Sequence, residues 1–136
     1  MDESRDHVER LLEAAEEAKS FAYVPYSDFP VGASVMTKKG DIYTGCNIEN
    51  ASYGLTNCAE RTALFNAVSN GETEFLSMGI ISDSNKIIPP CGACRQVIYE
   101  LCGNITLILS NNKGTYKLKR MEELLPGAFS AQDLKK

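Results

Sequence analysis

The chain has 136 residues, enough to bury a full hydrophobic core, and we predict a single domain over residues 1–136. Its 14 Lys and Arg residues and 18 Asp and Glu residues give a formal net charge of -4, which disfavours nucleic acid as a partner, because nucleic-acid binding needs a basic surface. No run of 18 apolar residues is present and the charged residues 1–6 lack the apolar stretch of a signal peptide, so neither a membrane partner nor secretion is expected.

The first half of the chain predicts a helix, a β-hairpin and a second helix. Apolar residues recur at helical spacing over residues 4–20, and glutamates occupy the opposite face. Residues 31–37 and 42–48 predict two antiparallel strands joined by a tight turn. A second helix is expected from Cys58 to about Gly71, where glycine suits a C-terminal cap.

The second half of the chain predicts a strand, a third helix and a final hairpin. The apolar run 75–82 lacks helical phase and predicts a buried strand, and a helix is expected to begin near Cys91. Residues 105–109 and 115–118 predict strands, followed by a brief helix over 122–125. About five residues link these two strands, so they must be antiparallel, because a parallel crossover is longer. We therefore predict an α/β fold, a three-layer α/β/α sandwich whose mixed five-stranded sheet has its last two strands antiparallel.

Two cysteine motifs at predicted helix starts indicate a metal site. Cys58-Ala59-Glu60 opens the second helix, and a P-C-G-A-C motif over residues 90–94 opens the third. The positive partial charge at a helix N-terminus lowers the pKa of a thiol and favours metal binding. Cys91 and Cys94 share one helix face, and Cys58 completes a set of three zinc ligands.

Three protein ligands leave one position of a tetrahedral zinc ion open, which is typical of a catalytic site. Glu60 lies close enough to Cys58 to move the protons of a water molecule at that position. Three thiolates and Zn²⁺ carry a net charge of about -1, so we expect Arg61 to donate hydrogen bonds to the thiolates and offset this charge. The pattern matches the known signature of zinc deaminases, Cys or His, one residue, Glu, and later Pro-Cys-x-x-Cys.

Each motif has a simpler interpretation when it is taken alone. A lone C-x-x-C also occurs in redox pairs and in structural zinc sites, but a redox pair has no use for Cys58, and a closed zinc site needs a fourth Cys or His. The one histidine, His7, is expected on a solvated helix face, and Cys46 and Cys102 are expected to act as small buried hydrophobes. The odd number of cysteines, five, does not fit a secreted disulfide framework, which favours reduced thiols and a cytoplasmic location.

The chain resembles the small, homotetrameric zinc cytidine deaminases of the cytidine and deoxycytidylate deaminase superfamily over nearly its whole length. Five segments in order carry the resemblance: F-P-V-G-A at 29–33, G-C-N-I-E-N at 45–50, C-A-E-R at 58–61, P-C-G-A-C-R-Q at 90–96 and E-L-L-P-G-A-F at 123–129. It implies one Zn²⁺ per subunit on Cys58, Cys91 and Cys94, with Glu60 as the catalytic proton carrier. The implied reaction is hydrolysis of free cytidine and 2′-deoxycytidine to uridine and 2′-deoxyuridine with release of ammonia, in pyrimidine salvage.

The same resemblance implies roles for four residues in binding a nucleoside. Asn47 and Glu49 are expected to bind the 3′-hydroxyl of the sugar, Phe29 to stack on the pyrimidine, and the N–H of Ala59 to contact the ring carbonyl at position 2. By position alone, Asn47 and Glu49 share one side of a strand end, where they could also be solvated, and Phe29 is an ordinary core candidate.

The resemblance also implies a homotetramer with shared active sites. Phe129 and Tyr53 are expected to reach into the pocket of a neighbouring subunit. By composition alone, Phe129 is another core candidate, so its role rests on the resemblance.

Three alternatives to a nucleoside deaminase follow from the same motifs. Deaminases of bases in DNA or RNA usually have His as first ligand and a parallel last strand, whereas this chain has Cys58 and a short last connection. A deaminase of a cytosine-containing antibiotic shares three cysteines, but Asn47 and Glu49 suit a ribose hydroxyl. A purely structural zinc module has no use for Glu60. The preference between cytidine and deoxycytidine stays open, because a contact to the 3′-hydroxyl accepts both.

Overall fold

The computed structural model describes residues 4–134, which form a five-stranded sheet with helices on both faces. The helices are α1 (Arg5–Lys19), α2 (Ala59–Ser69), α3 (Gly92–Cys102) and α4 (Met121–Leu124). The strands are β1 (Val31–Thr37), β2 (Ile42–Cys46), β3 (Phe75–Ser82), β4 (Thr106–Ser110) and β5 (Tyr116–Arg120). Two short 3-10 turns cover Tyr53–Leu55 and Ala131–Leu134. Every helix in the described range is too short or too polar to cross a bilayer.

The strands lie in the order β2-β1-β3-β4-β5. Strands β3 and β4 are parallel, and the other neighbouring pairs are antiparallel. Helix α3 lies in the crossover between β3 and β4, which supplies the long connection that a parallel pair requires. The predicted mixed sheet with an antiparallel last pair is confirmed.

Different helices cover the two faces of the sheet. On one face, Leu11 of α1 packs with Met36 and Ile108. On the other face, Leu64 of α2 and Ile98 of α3 belong to the larger core cluster. Burial of these apolar side chains between the layers is the main favourable term in folding, and the predicted α/β/α arrangement is confirmed.

Two strand glycines allow the helices to lie close to the sheet. A Cβ atom on Gly32 would lie 1.9 Å from the carbonyl oxygen of Ala15 in α1, and one on Gly45 would lie 2.3 Å from the backbone nitrogen of Ala63 in α2. Both distances are far below van der Waals contact, so any larger residue would move a helix away from the sheet. Gly45 therefore allows α2, which begins directly after Cys58, to lie close to β2.

Some predicted bounds differ from the observed ones at element ends. Strand β2 ends at Cys46 rather than at residue 48, because Ile48 leaves the hairpin and exchanges two backbone hydrogen bonds with Asn57. Strand β5 begins and ends later than the predicted range 115–118, because Arg120 is still paired with Thr106 of β4.

Candidate metal centre and active site

Three thiols lie at the N-termini of two helices on the same face of the sheet. Cys58 is the N-cap of α2, Cys91 is the N-cap of α3, and Cys94 is the third residue of α3. Their Sγ atoms all lie within 4.8 Å of one another, although Cys58 and Cys91 are 33 positions apart in the chain. Among residues 4–134, they form the single group of three or more His, Cys, Asp or Glu ligands at such spacing.

The sulfur positions fit a zinc ion. Zinc binds sulfur at about 2.3 Å, so two sulfurs of a tetrahedral site lie about 3.8 Å apart. The Sγ atoms of Cys58 and Cys91 are separated by 4.0 Å, which is close to this value. All five cysteines are free thiols, so no disulfide competes for these ligands. The set accommodates one Zn²⁺ per chain, as the sequence predicted.

The neighbours of Cys58 favour its thiolate form. Hydrogen bonds from Cys94 and from Arg61 lower the pKa of Cys58 to about 5. Hydrogen bonding to Cys58 and burial raise the pKa of Cys94, so within this pair of thiols Cys94 keeps its proton. Only thiolates bind the metal, so binding of zinc releases such protons.

Arg61 supplies the cation beside the thiols. Its Nη2 atom lies 3.3 Å from the Sγ atom of Cys58, and its buried Nε atom has no hydrogen-bond partner among the described residues. The guanidinium therefore keeps donor capacity in the immediate surroundings of Cys58. The contact between Arg61 and the Cys58 sulfur is the one that Arg61 needs in order to offset the negative charge of the thiolates.

We expect Arg61→Gln to reduce zinc affinity and turnover together, because a neutral amide no longer offsets the negative charge of the thiolates. Losses of about 10–100-fold are typical when a hydrogen-bonding partner of a metal ligand is removed. Competition with a chelator measures the affinity, and steady-state rates on the same preparations measure the turnover. Arg10→Gln is the matched control, because the Arg10 guanidinium donates to the carbonyl oxygen of Gly40, away from the thiols. If affinity and turnover both equal those of the control, the role of Arg61 is wrong.

Glu60 lies in the first turn of α2 and its side chain is only 5% exposed. It lines a cleft of about 210 Å³ together with Cys58 and Cys91. Burial raises the pKa of Glu60 to about 7. A carboxyl group with such a pKa can both accept and release a proton near neutral pH, which suits general acid–base catalysis.

Phe29, Asn47 and Ala59 line the same cleft. Ala59 is the first residue of α2, so its N–H has no partner within the helix and remains available to a ligand. The amide of Asn47 donates to the carbonyl oxygen of Phe29 and accepts from the N–H of Val31, each at 2.9 Å. Asn47 therefore also holds the segment that carries Phe29, a structural contact that the sequence analysis did not predict.

A second cleft of about 350 Å³ adjoins the first one, because Thr56 lines both. Glu49 lines this second cleft and accepts hydrogen bonds from the hydroxyl and the N–H of Ser27 and from the N–H of Tyr26. These hydrogen bonds lower the pKa of Glu49, and the bond from the Ser27 hydroxyl has the largest effect. Tyr53 lines the same cleft, and its ring lies edge-on to Tyr26 with the ring centroids 6.4 Å apart.

Phe129 lies outside both clefts of its own chain. It is 58% exposed and lines a separate pocket of about 410 Å³ with Phe65 and Val97, on the outer side of α2 and α3. Gln96 Nε2 donates to the carbonyl oxygen of Phe129 at 2.8 Å. One chain therefore does not bring the Phe129 ring to the thiols.

Several residues that line the smaller cleft were missed by sequence reasoning. They are Val31, Thr56, Ile80, Ser82, Ile88, Pro89 and Pro90. Apolar and small polar residues at strand ends and in loops are common in every α/β protein, so their type carries no signal of a site. The one available signal was the pair of prolines immediately before Cys91, which holds the cleft wall in an extended conformation.

Comparisons with a family model, with curated proteins and with solved structures all point to the same family. The family model described as "Cytidine and deoxycytidylate deaminase zinc-binding region" matches residues 5–109. Cytidine deaminases from Sporosarcina psychrophila and Halalkalibacterium halodurans are each 51% identical to the chain, covering 93% and 91% of it and 94% and 95% of their own lengths. The crystal structure of cytidine deaminase from Burkholderia pseudomallei is 46% identical with a TM-score of 0.85, covering 89% of this chain and 98% of that chain. The chain belongs to the cytidine and deoxycytidylate deaminase family.

Proposed function

We propose that the protein catalyses the zinc-dependent hydrolysis of free cytidine and 2′-deoxycytidine to uridine and 2′-deoxyuridine, with release of ammonia, in pyrimidine salvage. The observation that carries the proposal is the placement of a buried carboxyl group, Glu60, in one small cleft with the thiols of Cys58 and Cys91. A redox pair or a structural zinc site has no use for this carboxyl group. The curated relatives are named cytidine deaminases, which supports the same reaction.

Each residue of the centre has a role in the proposed reaction. Cys58, Cys91 and Cys94 would hold zinc, and a zinc ion bound there would act as a Lewis acid that lowers the pKa of water to about 7. Glu60 takes a proton from the attacking water and delivers it to N3 of the pyrimidine, which makes C4 electrophilic. After the water oxygen has added to C4, Glu60 passes the second proton to the amino group. The C4–N bond then breaks, ammonia leaves, and C4 becomes a carbonyl carbon.

The substrate is oriented by residues of both clefts. Phe29 stacks on the pyrimidine, and the N–H of Ala59 donates to the ring carbonyl at position 2. Asn47 and Glu49 bind the 3′-hydroxyl of the sugar. This orientation is supported by the continuity of the two clefts at Thr56, which gives the base and the sugar adjoining spaces.

We also propose that the chain, a single domain over residues 1–136, assembles into a homotetramer with shared active sites. Tyr53 and Phe129 then contact the pocket of a neighbouring subunit. Their side chains are 78% and 58% exposed in one chain, which supports a role in contact with another copy. Three reduced thiols are needed for the metal, and the cytoplasm maintains thiols in this state, so we place the protein there.

The direct test follows the loss of cytosine absorbance and the release of ammonia when zinc-loaded protein is incubated with cytidine, deoxycytidine or CMP. We expect turnover of both nucleosides and much slower turnover of CMP, because the anionic Glu49 lines the cleft on the sugar side and repels a phosphate. No Lys or Arg is among the described residues that line either cleft. Zinc-loaded protein that leaves cytidine unchanged would contradict the proposal. In that case, turnover of a cytosine-containing antibiotic would identify the alternative substrate, and inertness toward every pyrimidine would indicate a structural zinc module.

A further inference from the structure

A single guanidinium holds the backbone next to a zinc ligand. Arg95, the fourth residue of α3, donates through Nε to the carbonyl oxygen of Pro90 at 2.8 Å. Pro90 is buried and immediately precedes Cys91, which is exposed. The position of the Cys91 backbone therefore depends on the Arg95 side chain. Arg95 itself directly follows Cys94, another of the proposed zinc ligands.

The same guanidinium also holds the start of the C-terminal segment. Arg95 Nη1 donates to the carbonyl oxygen of Leu124 at 2.9 Å. Leu124 is the last residue of α4, and its carbonyl belongs to the last helical turn, which lacks partners within the helix. Five residues later, the carbonyl oxygen of Phe129 accepts a hydrogen bond from the neighbouring α3 side chain, Gln96.

Arg95 differs from Arg61 in what its donors bind. The Nη2 atom of Arg61 donates to a sulfur atom, whereas the two donors of Arg95 bind carbonyl oxygens of two separate segments. A guanidinium holds its donors in a rigid fork, so one side chain can hold two backbones in a defined relation. Lysine keeps the charge but carries its donors on one flexible nitrogen, so it does not reproduce this geometry.

We propose that Arg95 is a positioning residue that joins the zinc-binding loop to the C-terminal segment 124–129. Through this residue, displacement of the Leu124 backbone loosens Cys91, and loosening of the Cys91 loop displaces Leu124 and the residues that follow it. The inference rests on the proposed function for the assignment of Cys91 as a zinc ligand and of Phe129 as a contact to a neighbour.

The test compares zinc-loaded wild-type protein with Arg95→Lys and Arg95→Gln. Arg95→Lys keeps the charge and the aliphatic stem, so it remains informative if Arg95→Gln fails to fold. We expect both variants to release zinc to a chelator about 10-fold faster or more, the size typical of a lost partner of a metal ligand. Amide hydrogen exchange should rise in two separate places, residues 91–94 and residues 124–129.

Gln96→Ala is the matched control, because Gln96 binds the carbonyl oxygen of Phe129 and does not bond to the zinc loop in the described structure. It should raise exchange around Phe129 and leave zinc release unchanged, because Arg95 still holds Pro90 and Leu124 in this variant. Wild-type zinc release in Arg95→Lys, or increased exchange in only one of the two segments, would overturn the coupling. Neither readout requires turnover, so failure to deaminate cytidine would refute the proposed function and still leave these comparisons decisive for Arg95.

Discussion

Glu60→Gln is expected to lower the rate of cytidine deamination by at least about 10²–10⁴-fold, the usual contribution of a general acid–base group. The amide has nearly the same size and fills the same buried position, but it cannot accept a proton from water or deliver one to the pyrimidine. Both proton transfers in the proposed mechanism use this one carboxyl group, so both are lost. The three thiols are untouched, and we therefore expect zinc to remain bound at one ion per chain.

The measurement combines steady-state rates with metal analysis on the same preparations. Glu74→Gln is the matched control, because it makes the same chemical change at an exposed residue whose carboxylate pairs with Lys38, away from the cleft. The stability of Glu60→Gln should equal that of the wild-type protein or exceed it, because the amide removes a group whose charged form is disfavoured by burial. Substantial turnover by a variant with stoichiometric zinc would refute the assignment of Glu60.

Cys91→Ala is expected to abolish zinc binding and turnover together while the fold is retained. Only two thiols then remain, and a catalytic zinc site uses three protein ligands. Cys91 is exposed, so removal of its sulfur leaves no cavity in the core. The large core cluster consists of side chains from the sheet, α2, α3 and α4, and it does not include Cys91.

Two measurements test this prediction. The first is the zinc content of metal-loaded samples after dialysis, and the second is the midpoint of thermal unfolding with and without the metal. Cys46→Ala is the matched control, because Cys46 lies at the end of β2 and does not belong to the thiol cluster. It should keep one zinc per chain and nearly full activity. Retention of stoichiometric zinc by Cys91→Ala would show that the ligand set is wrong. Conversely, unfolding of metal-free wild-type protein would show that the core depends on the metal, contrary to expectation.

The order and type of the elements could be predicted from local sequence patterns. The bounds of β1 and β3 agree with the predicted ranges 31–37 and 75–82, because each is an apolar run bounded by turn residues. The bounds of β2 and β5 were predicted less accurately. Their ends depend on partners far along the chain, such as Asn57 for Ile48 and Thr106 for Arg120.

The candidate zinc ligands and Glu60 could be proposed from the sequence because their chemistry depends on short spacings. A thiol at a helix start, a carboxyl group two residues later, and a second pair of thiols at i and i+3 are all readable within a few residues. Asn47 shows the opposite case. Its residue type suggested a ligand for a sugar, but the structure shows its amide also bonded to the backbone of Phe29 and Val31.

The sequence by itself therefore predicted the three candidate sulfur ligands, the candidate proton-carrying carboxyl group and the order of strands and helices, because these predictions follow from periodicity and helix-end chemistry. Only the tertiary structure decided that Cys58 and Cys91 meet, that Arg95 joins Pro90 to Leu124, and that the Phe129 ring lies outside the clefts of its own chain. The physical reason is that these relations link parts of the chain that are about 30 positions apart, such as Cys58 with Cys91 and Arg95 with Leu124. Their distances are set by packing of α2, α3 and α4 in the core on one face of the sheet, and no local pattern records that packing.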